Sequence, residues 1–171
     1  MDSGLLVLRL VVGLLIAGHG VQKVSFLLGG AGLAGGTEEF RRDGFRGGVV
    51  TALTAGGSQI GAGLFLAAGL LTPAASTAAM GVMTVAGTVK RPKGLWVQND
   101  GYEYPLVLVA VAGALALTGP GRFSLDHALG LPAWPLGAGV AAIVIGPAGG
   151  LAARAILRRP AARAMEGTTH A

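Results

Sequence analysis

The chain contains no cysteine. That excludes disulfides, thiolate metal sites, cysteine-held iron–sulfur clusters and any thiol relay through its own side chains. Redox chemistry, if it occurs here, must run on a bound cofactor or through a partner. Aromatic residues make up only 5% of the sequence, too few to stack successive bases. Charged residues amount to 12%, against about 25% in ordinary soluble domains. There is too little polar material to cover a water-facing surface, so a soluble globular fold is excluded. Three histidines, widely scattered, make no metal site. The glycines at Gly29, Gly30, Gly32, Gly35 and Gly36 follow an apolar helix rather than a strand, so they do not form a phosphate-binding loop.

What the chain does have is apolar length. Of 171 residues, 52% are hydrophobic and 31 are glycine, and the mean hydropathy is +0.65. From Gly47 to Val89 no side chain carries charge. As one helix these residues would reach about 65 Å, roughly twice the hydrocarbon thickness of a bilayer. The run must therefore fold back, and Gly69-Leu70-Leu71-Thr72-Pro73 supplies the break: a helix-ending glycine, a threonine cap and a proline suited to a first turn. The predicted spans are residues 4–24, 48–70, 73–89 and 104–118. Residues 131–157 supply a fifth, with its apolar stretch at about 135–153 interrupted by Gly146-Pro147, and residues 158–171 form a basic, disordered tail. The first apolar stretch only weakly resembles a secretory leader, because its cleavage site is poor. The expected fold is an all-α, antiparallel integral membrane bundle.

Charge sets an expected orientation. With five spans, eleven of the thirteen Lys and Arg residues fall on one side, leaving only Arg9 and Arg122 on the other. Cytoplasmic loops are the cationic ones, so the N-terminus is expected outside and the C-terminus inside. The cations lie in short interhelical clusters rather than along an aromatic-studded face, which excludes nucleic acid as a partner.

Polar residues within spans are the candidates for chemistry. Arg9 lies one turn into the first helix, able either to snorkel outward or to serve inside the bundle. His19, Gln22 and Lys23 share one face at that helix's far end. Ser58 and Gln59 fall mid-helix, where hydrogen bonds between helices are expected, with Gly57 and Gly61 allowing close approach. The loop from Lys90 to Pro105 combines cations, Trp96, the Asn99-Asp100-Gly101 turn, Tyr102, Glu103 and Tyr104. Glu103, at a helix start, is expected to pair with Lys23 or a loop lysine. Headgroup solvation and capping account for the same residues without any further role.

Several of these stretches resemble the DoxX family. They are Leu8-Arg9-Leu10, Gly18-His19-Gly20-Val21-Gln22-Lys23, Gly32-Leu33-Ala34-Gly35, Gly69-Leu70-Leu71-Thr72, the run from Asn99 to Pro105, and Gly119-Pro120-Gly121-Arg122-Phe123-Ser124-Leu125-Asp126. The resemblance covers about residues 4–127. It implies a small four-helix protein of the bacterial cytoplasmic membrane, of a kind that includes subunits of a thiosulfate:quinone oxidoreductase and members of redox assemblies handling oxidative or thiol stress. Quinone is the cofactor it implies. The implied partners are the bilayer and cytoplasmic redox enzymes docked on the cationic loops, with a homo-oligomer left open. Arg9, His19, Lys23, Gln59, Asn99, Tyr102, Glu103 and Tyr104 would line the cavity or handle protons, with His19 or Glu103 as proton carrier. Two positions depart from the family pattern: Gln59 and Lys90 stand where members often have glutamate and histidine. A non-catalytic scaffold or small-molecule carrier would use the same bundle.

Overall fold

The computed structural model describes residues 1–158, so the predicted basic tail falls outside the described residues apart from Arg158. Seven helices follow in order: α1 (Asp2–Val24), α2 (Gly32–Arg42), α3 (Val49–Ala68), α4 (Thr72–Lys90), α5 (Glu103–Thr118), α6 (Leu125–Ala128) and α7 (Leu136–Leu157). Among the described residues the only extended pairing is an isolated bridge between Phe45 and Arg158. The predicted spans coincide with α1, α3, α4, α5 and α7. By length and composition, α1, α3 and α7 are long and apolar enough to cross a membrane, while α5 is apolar but shorter.

Two expectations are revised. The first loop contains a helix, α2, whose Arg41 donates to both carboxylate oxygens of Glu38 at 2.7 and 2.8 Å, an i,i+3 pair that supports a short helix. The fifth segment is not interrupted. Helix α7 runs through Gly146 and Pro147 without a break, because losing one backbone donor is tolerated where a neighbouring helix packs closely.

Close approach of backbones builds the bundle. A Cβ on Gly13 would stand 2.6 Å from Ala67 N, and one on Gly20 would stand 2.5 Å from Gly56 O. Helices α1 and α3 are therefore in backbone contact along a seam of Gly13, Gly20, Gly56 and Gly63. The expected spacers Gly57 and Gly61 face open space instead. A second seam joins α4 to α7 at Gly81, Gly146 and Gly150. Between apolar side chains in lipid, such close packing supplies the attraction that water would otherwise drive. Val12, Ile16, Leu66, Met80, Met83, Leu108 and Leu115 fill the centre. Val7, Val11, Leu14, Leu106, Val107, Val144 and Ile145 project outward, all at least half exposed. An apolar exterior over a packed interior suits a lipid surround and not water.

The contacts also fix which helix ends meet. The starts of α1 and α4 join the ends of α3 and α5 at one pole, where Arg9, Gly69, Thr72 and Phe123 come together. At the other pole lie the end of α1, the starts of α3 and α5, and the ends of α4 and α7. Nine of the eleven described Lys and Arg residues lie at this second pole, leaving Arg9 and Arg122 at the first.

Candidate functional site

At the Arg9 pole a carboxylate organises three segments. Asp126 is 3% exposed. Its oxygens accept from Leu71 N at 2.8 Å, Thr72 N at 3.3 Å, Thr72 Oγ1 at 3.2 Å and Trp134 Nε1 at 2.9 Å. The cap of α4 is thus Asp126, 54 residues away, and not the expected threonine, whose hydroxyl itself donates to Asp126. A negative charge there also suits the positive end of the helix dipole. Leu71, the residue before α4, is held in left-handed conformation (φ 47°), a strained geometry that the Asp126 bond offsets.

Arg9 is fully buried and does not snorkel. Its Nη2 donates to Phe123 O; burial disfavours its charge, and the Asp126 charge offsets part of that. Its Nε and Nη1 have no hydrogen-bond partner among the described residues. Gly69, at φ 65°, lies so close that a Cβ would collide with the guanidinium.

The basic pole holds a cavity of about 230 Å³ between α2, α3, α4 and α7. Val82, Val85, Ala86 and Val89 of α4 with Ala55 of α3 form its apolar wall. Its deep polar group is Gln59, only 7% exposed, whose buried Oε1 has no partner among the described residues. Among the described residues the Gln59 oxygen makes none of the expected interhelical hydrogen bonds. Leaving a buried amide oxygen unsatisfied costs about 1–3 kcal/mol.

The cavity mouth is charged. Lys23 pairs with Glu39, and Lys90 pairs with Asp100 of the third loop. Asp43 also lines the mouth. Burial, then the nearby Glu39 carboxylate, holds it above the ordinary carboxylate value, opposed by Lys23, Arg154 and Lys93. Arg154 stacks over the Phe45 ring at 4.2 Å and Arg46 N donates to Leu157 O at 2.7 Å. These contacts fasten the α2–α3 loop to the end of α7, closing one side of the cavity.

Beside the cavity, a hydrogen-bond chain ties α1 to α5. His19 Nε2 lies 3.1 Å from Tyr104 Oη and its Nδ1 lies 3.0 Å from Gln22 Oε1, while Gln22 Nε2 donates to Leu28 O at 2.7 Å. With its Nε2 committed to a carbonyl, Gln22 presents an acceptor to His19. Nδ1 must then carry the proton and Nε2 accepts from the tyrosine hydroxyl. Tyr104→Phe is expected to lower stability by about 1 kcal/mol, measured by unfolding in detergent. No change would mean the chain contributes nothing.

The third loop is structured by its own contacts. Glu103 does not pair with a lysine; its Oε2 accepts from Val97 N at 3.0 Å. The lysines Lys90 and Lys93 instead converge on Asp100. Their hydrogen bonds hold the Asp100 carboxyl at about 2 against an ordinary 3.8. A depressed carboxylate contributes stability above its unfolded value and loses it as pH falls. The clamp should therefore be intact above pH 3.8 and open as pH falls towards 2. Carboxyl-carbon NMR should place the Asp100 midpoint near 2, and a midpoint at the ordinary value would mean that the lysines are disengaged. Asn99 is exposed, and Tyr102 sits before α5 with its N donating to Gly94 O at 3.1 Å.

Of the eight residues expected from the sequence, Lys23 and Gln59 line the cavity. His19 and Tyr104 form the adjacent chain, Asn99, Tyr102 and Glu103 belong to the loop, and Arg9 lies at the opposite pole. Glu39, Asp43 and Thr51 also line the cavity and were not anticipated. The only sequence signal for Glu39 was the run Glu38-Glu39 followed by Arg41-Arg42, opposite charges at helical spacing.

A bundle with lipid-facing apolar walls, a cationic pole and a cavity between helices defines a multi-pass α-helical membrane protein. The chain belongs to the DoxX family, whose sequence model, described as DoxX, matches residues 4–91. The match takes in α1 to α4, and thus most of the cavity lining, but ends before the Asp126 cap and α7. No curated protein matches the chain, and no solved structure does.

Proposed function

We propose that this protein is the membrane subunit of a bacterial redox assembly and that its cavity holds the head of a quinone. The observation that carries this reading is the Gln59 amide, which lines an apolar cavity and whose oxygen has no hydrogen-bond partner among the described residues. An amide matches both redox forms: its oxygen accepts from a quinol hydroxyl, and its nitrogen donates to a quinone carbonyl. The volume of about 230 Å³ suits a head ring without its tail, since drug-sized pockets start at roughly 300 Å³. Reduction of a quinone takes two electrons and two protons. The electrons would come from a partner enzyme on the cationic pole, which we place in the cytoplasm, with the protein in the cytoplasmic membrane and its N-terminus outside. Protons would enter at Asp43 and Glu39, the carboxylates of the mouth; His19 and Glu103 lie outside the lining.

A carrier or scaffold role is the second reading, favoured by one fact: the deep polar group, Gln59, does not titrate. The purified protein should carry quinone, and Gln59→Leu should weaken its binding about tenfold, one lost buried hydrogen bond. The same substitution should leave stability unchanged or raised, because an unsatisfied oxygen is removed. Wild-type protein without affinity for quinone would overturn the reading. Quinone binding with no reduction by any co-purified oxidoreductase would transfer it to the carrier.

A further inference from the structure

A groove on the flank of the bundle adjoins the cavity. Helices α3 and α7 both pack on α4, α7 most extensively. Between them runs a groove of about 310 Å³, floored by Thr77, Ala78 and Gly81 and flanked by Ile145, Gly146 and Gly149. It shares Ser58, Val82, Val85 and Ala153 with the cavity, so the two adjoin at these side chains. The groove is more open than the cavity and its lining is almost wholly apolar. The mouth of the cavity carries Lys23, Glu39, Asp43 and Lys90, whereas the adjoining groove between α3 and α7 is lined mostly by apolar and small residues.

Two kinds of glycine line that path. Gly81, Gly146 and Gly150 bring the α4 and α7 backbones together, and a Cβ on Gly146 would lie 2.8 Å from Thr77 O. Gly149 does not serve that seam. A Cβ there would meet nothing within 4 Å, although a glycine in a helix interior costs about 0.8–1.0 kcal/mol relative to alanine. Gly149 lines the groove, and a side chain there would project into it.

We propose that this groove seats the isoprenoid tail of the quinone, whose head lies at Gln59, and that the ligand arrives laterally from the bilayer between α3 and α7. The inference rests on the quinone reading above. It narrows the ligand to a membrane-resident, long-tailed quinone. An amphiphile of that shape satisfies both ends at once: a ring with hydrogen-bonding oxygens for the orphaned amide, and a flexible apolar chain for a channel open to lipid. The charged mouth then serves protons and the partner enzyme, leaving the ligand's route free of them.

The test uses the full-length protein in mild detergent with two probes: a tail-less benzoquinone, and a decaprenyl-type quinone carrying a diazirine on its tail. Photolabelling of wild type should fall on the segments 77–85 and 145–153, mapped by mass spectrometry. Gly149→Leu fills the groove and raises helix propensity. It should cut that labelling at least tenfold while leaving affinity for the tail-less quinone unchanged. Gly57→Leu, at another position facing open space, should alter neither. If both probes bind but the tail labels elsewhere, or Gly149→Leu has no effect on labelling, the groove assignment is wrong and the quinone reading stands. If wild type binds neither probe, both fall.

Discussion

Asp126→Ala should cost about 3–5 kcal/mol of stability, because it leaves several buried donors without their charged acceptor at about 1–3 kcal/mol each. Four donors converge on its carboxylate from the α3–α4 turn and Trp134, and a guanidinium that its charge favours is buried beside it. Removing the carboxylate strands Arg9 in a site it cannot leave, uncaps α4 and frees the strained Leu71. Asp126→Asn keeps the shape and one acceptor, so it should cost less, on the order of 1–2 kcal/mol, comparable to a helix cap. Unfolding of the purified protein by added anionic detergent, followed by circular dichroism, measures both. An alanine variant within 1 kcal/mol of wild type would show that the cluster does not hold the pole together. Because the basic pole lies at the far end of the helices, quinone-head affinity should survive in whatever fraction remains folded.

Gly63→Val should open the α1–α3 seam. A Cβ at Gly63 would overlap Gly13 O and stand 2.9 Å from the Ala17 Cβ, and both neighbours lie on α1. Backbone cannot rotate aside as a side chain can, so the helices must separate. Overpacking of this kind costs about 1–3 kcal/mol, and the upper end applies where backbone is the obstacle. Separation also moves Gln59, one turn earlier on α3, away from Gly20, against which its Cβ rests. Affinity for the tail-less quinone should fall along with stability. Gly61→Val, with open space at the same depth, is the control and should change neither by more than about 0.5 kcal/mol. Equal behaviour of the two variants would mean that α1 and α3 are held by something other than this contact.

The contrast between Gly63 and Gly61 marks where sequence reading stops. Both are glycines in one apolar helix, two residues apart, and nothing local distinguishes them. Which faces α1 depends on the rotation of α3, and that is set by every contact along the seam. The same applies to Gln59. Its place mid-span was legible, but whether its amide found a partner was not, and among the described residues its oxygen has none. Lys23 was legible as the end of a polar face; its pairing with Glu39 required α2, whose short charged sequence reads as a loop when helices are sought by apolar length.

Asp126 was legible only as part of a resemblance, because its donors at Leu71 and Thr72 lie far away in the chain. Arg9 offered two fates, and burial by distant loops chose between them. What the sequence by itself determined is the solvent: scarce charge, long apolar runs and clustered cations require a bundle in lipid, with its helix ends sorted by charge. These are sums over neighbouring residues, so no fold is needed to read them. Tertiary structure alone decided which polar groups meet, which stay unpartnered and where a cavity remains, because those outcomes depend on helix rotation and on contacts between segments that composition does not link.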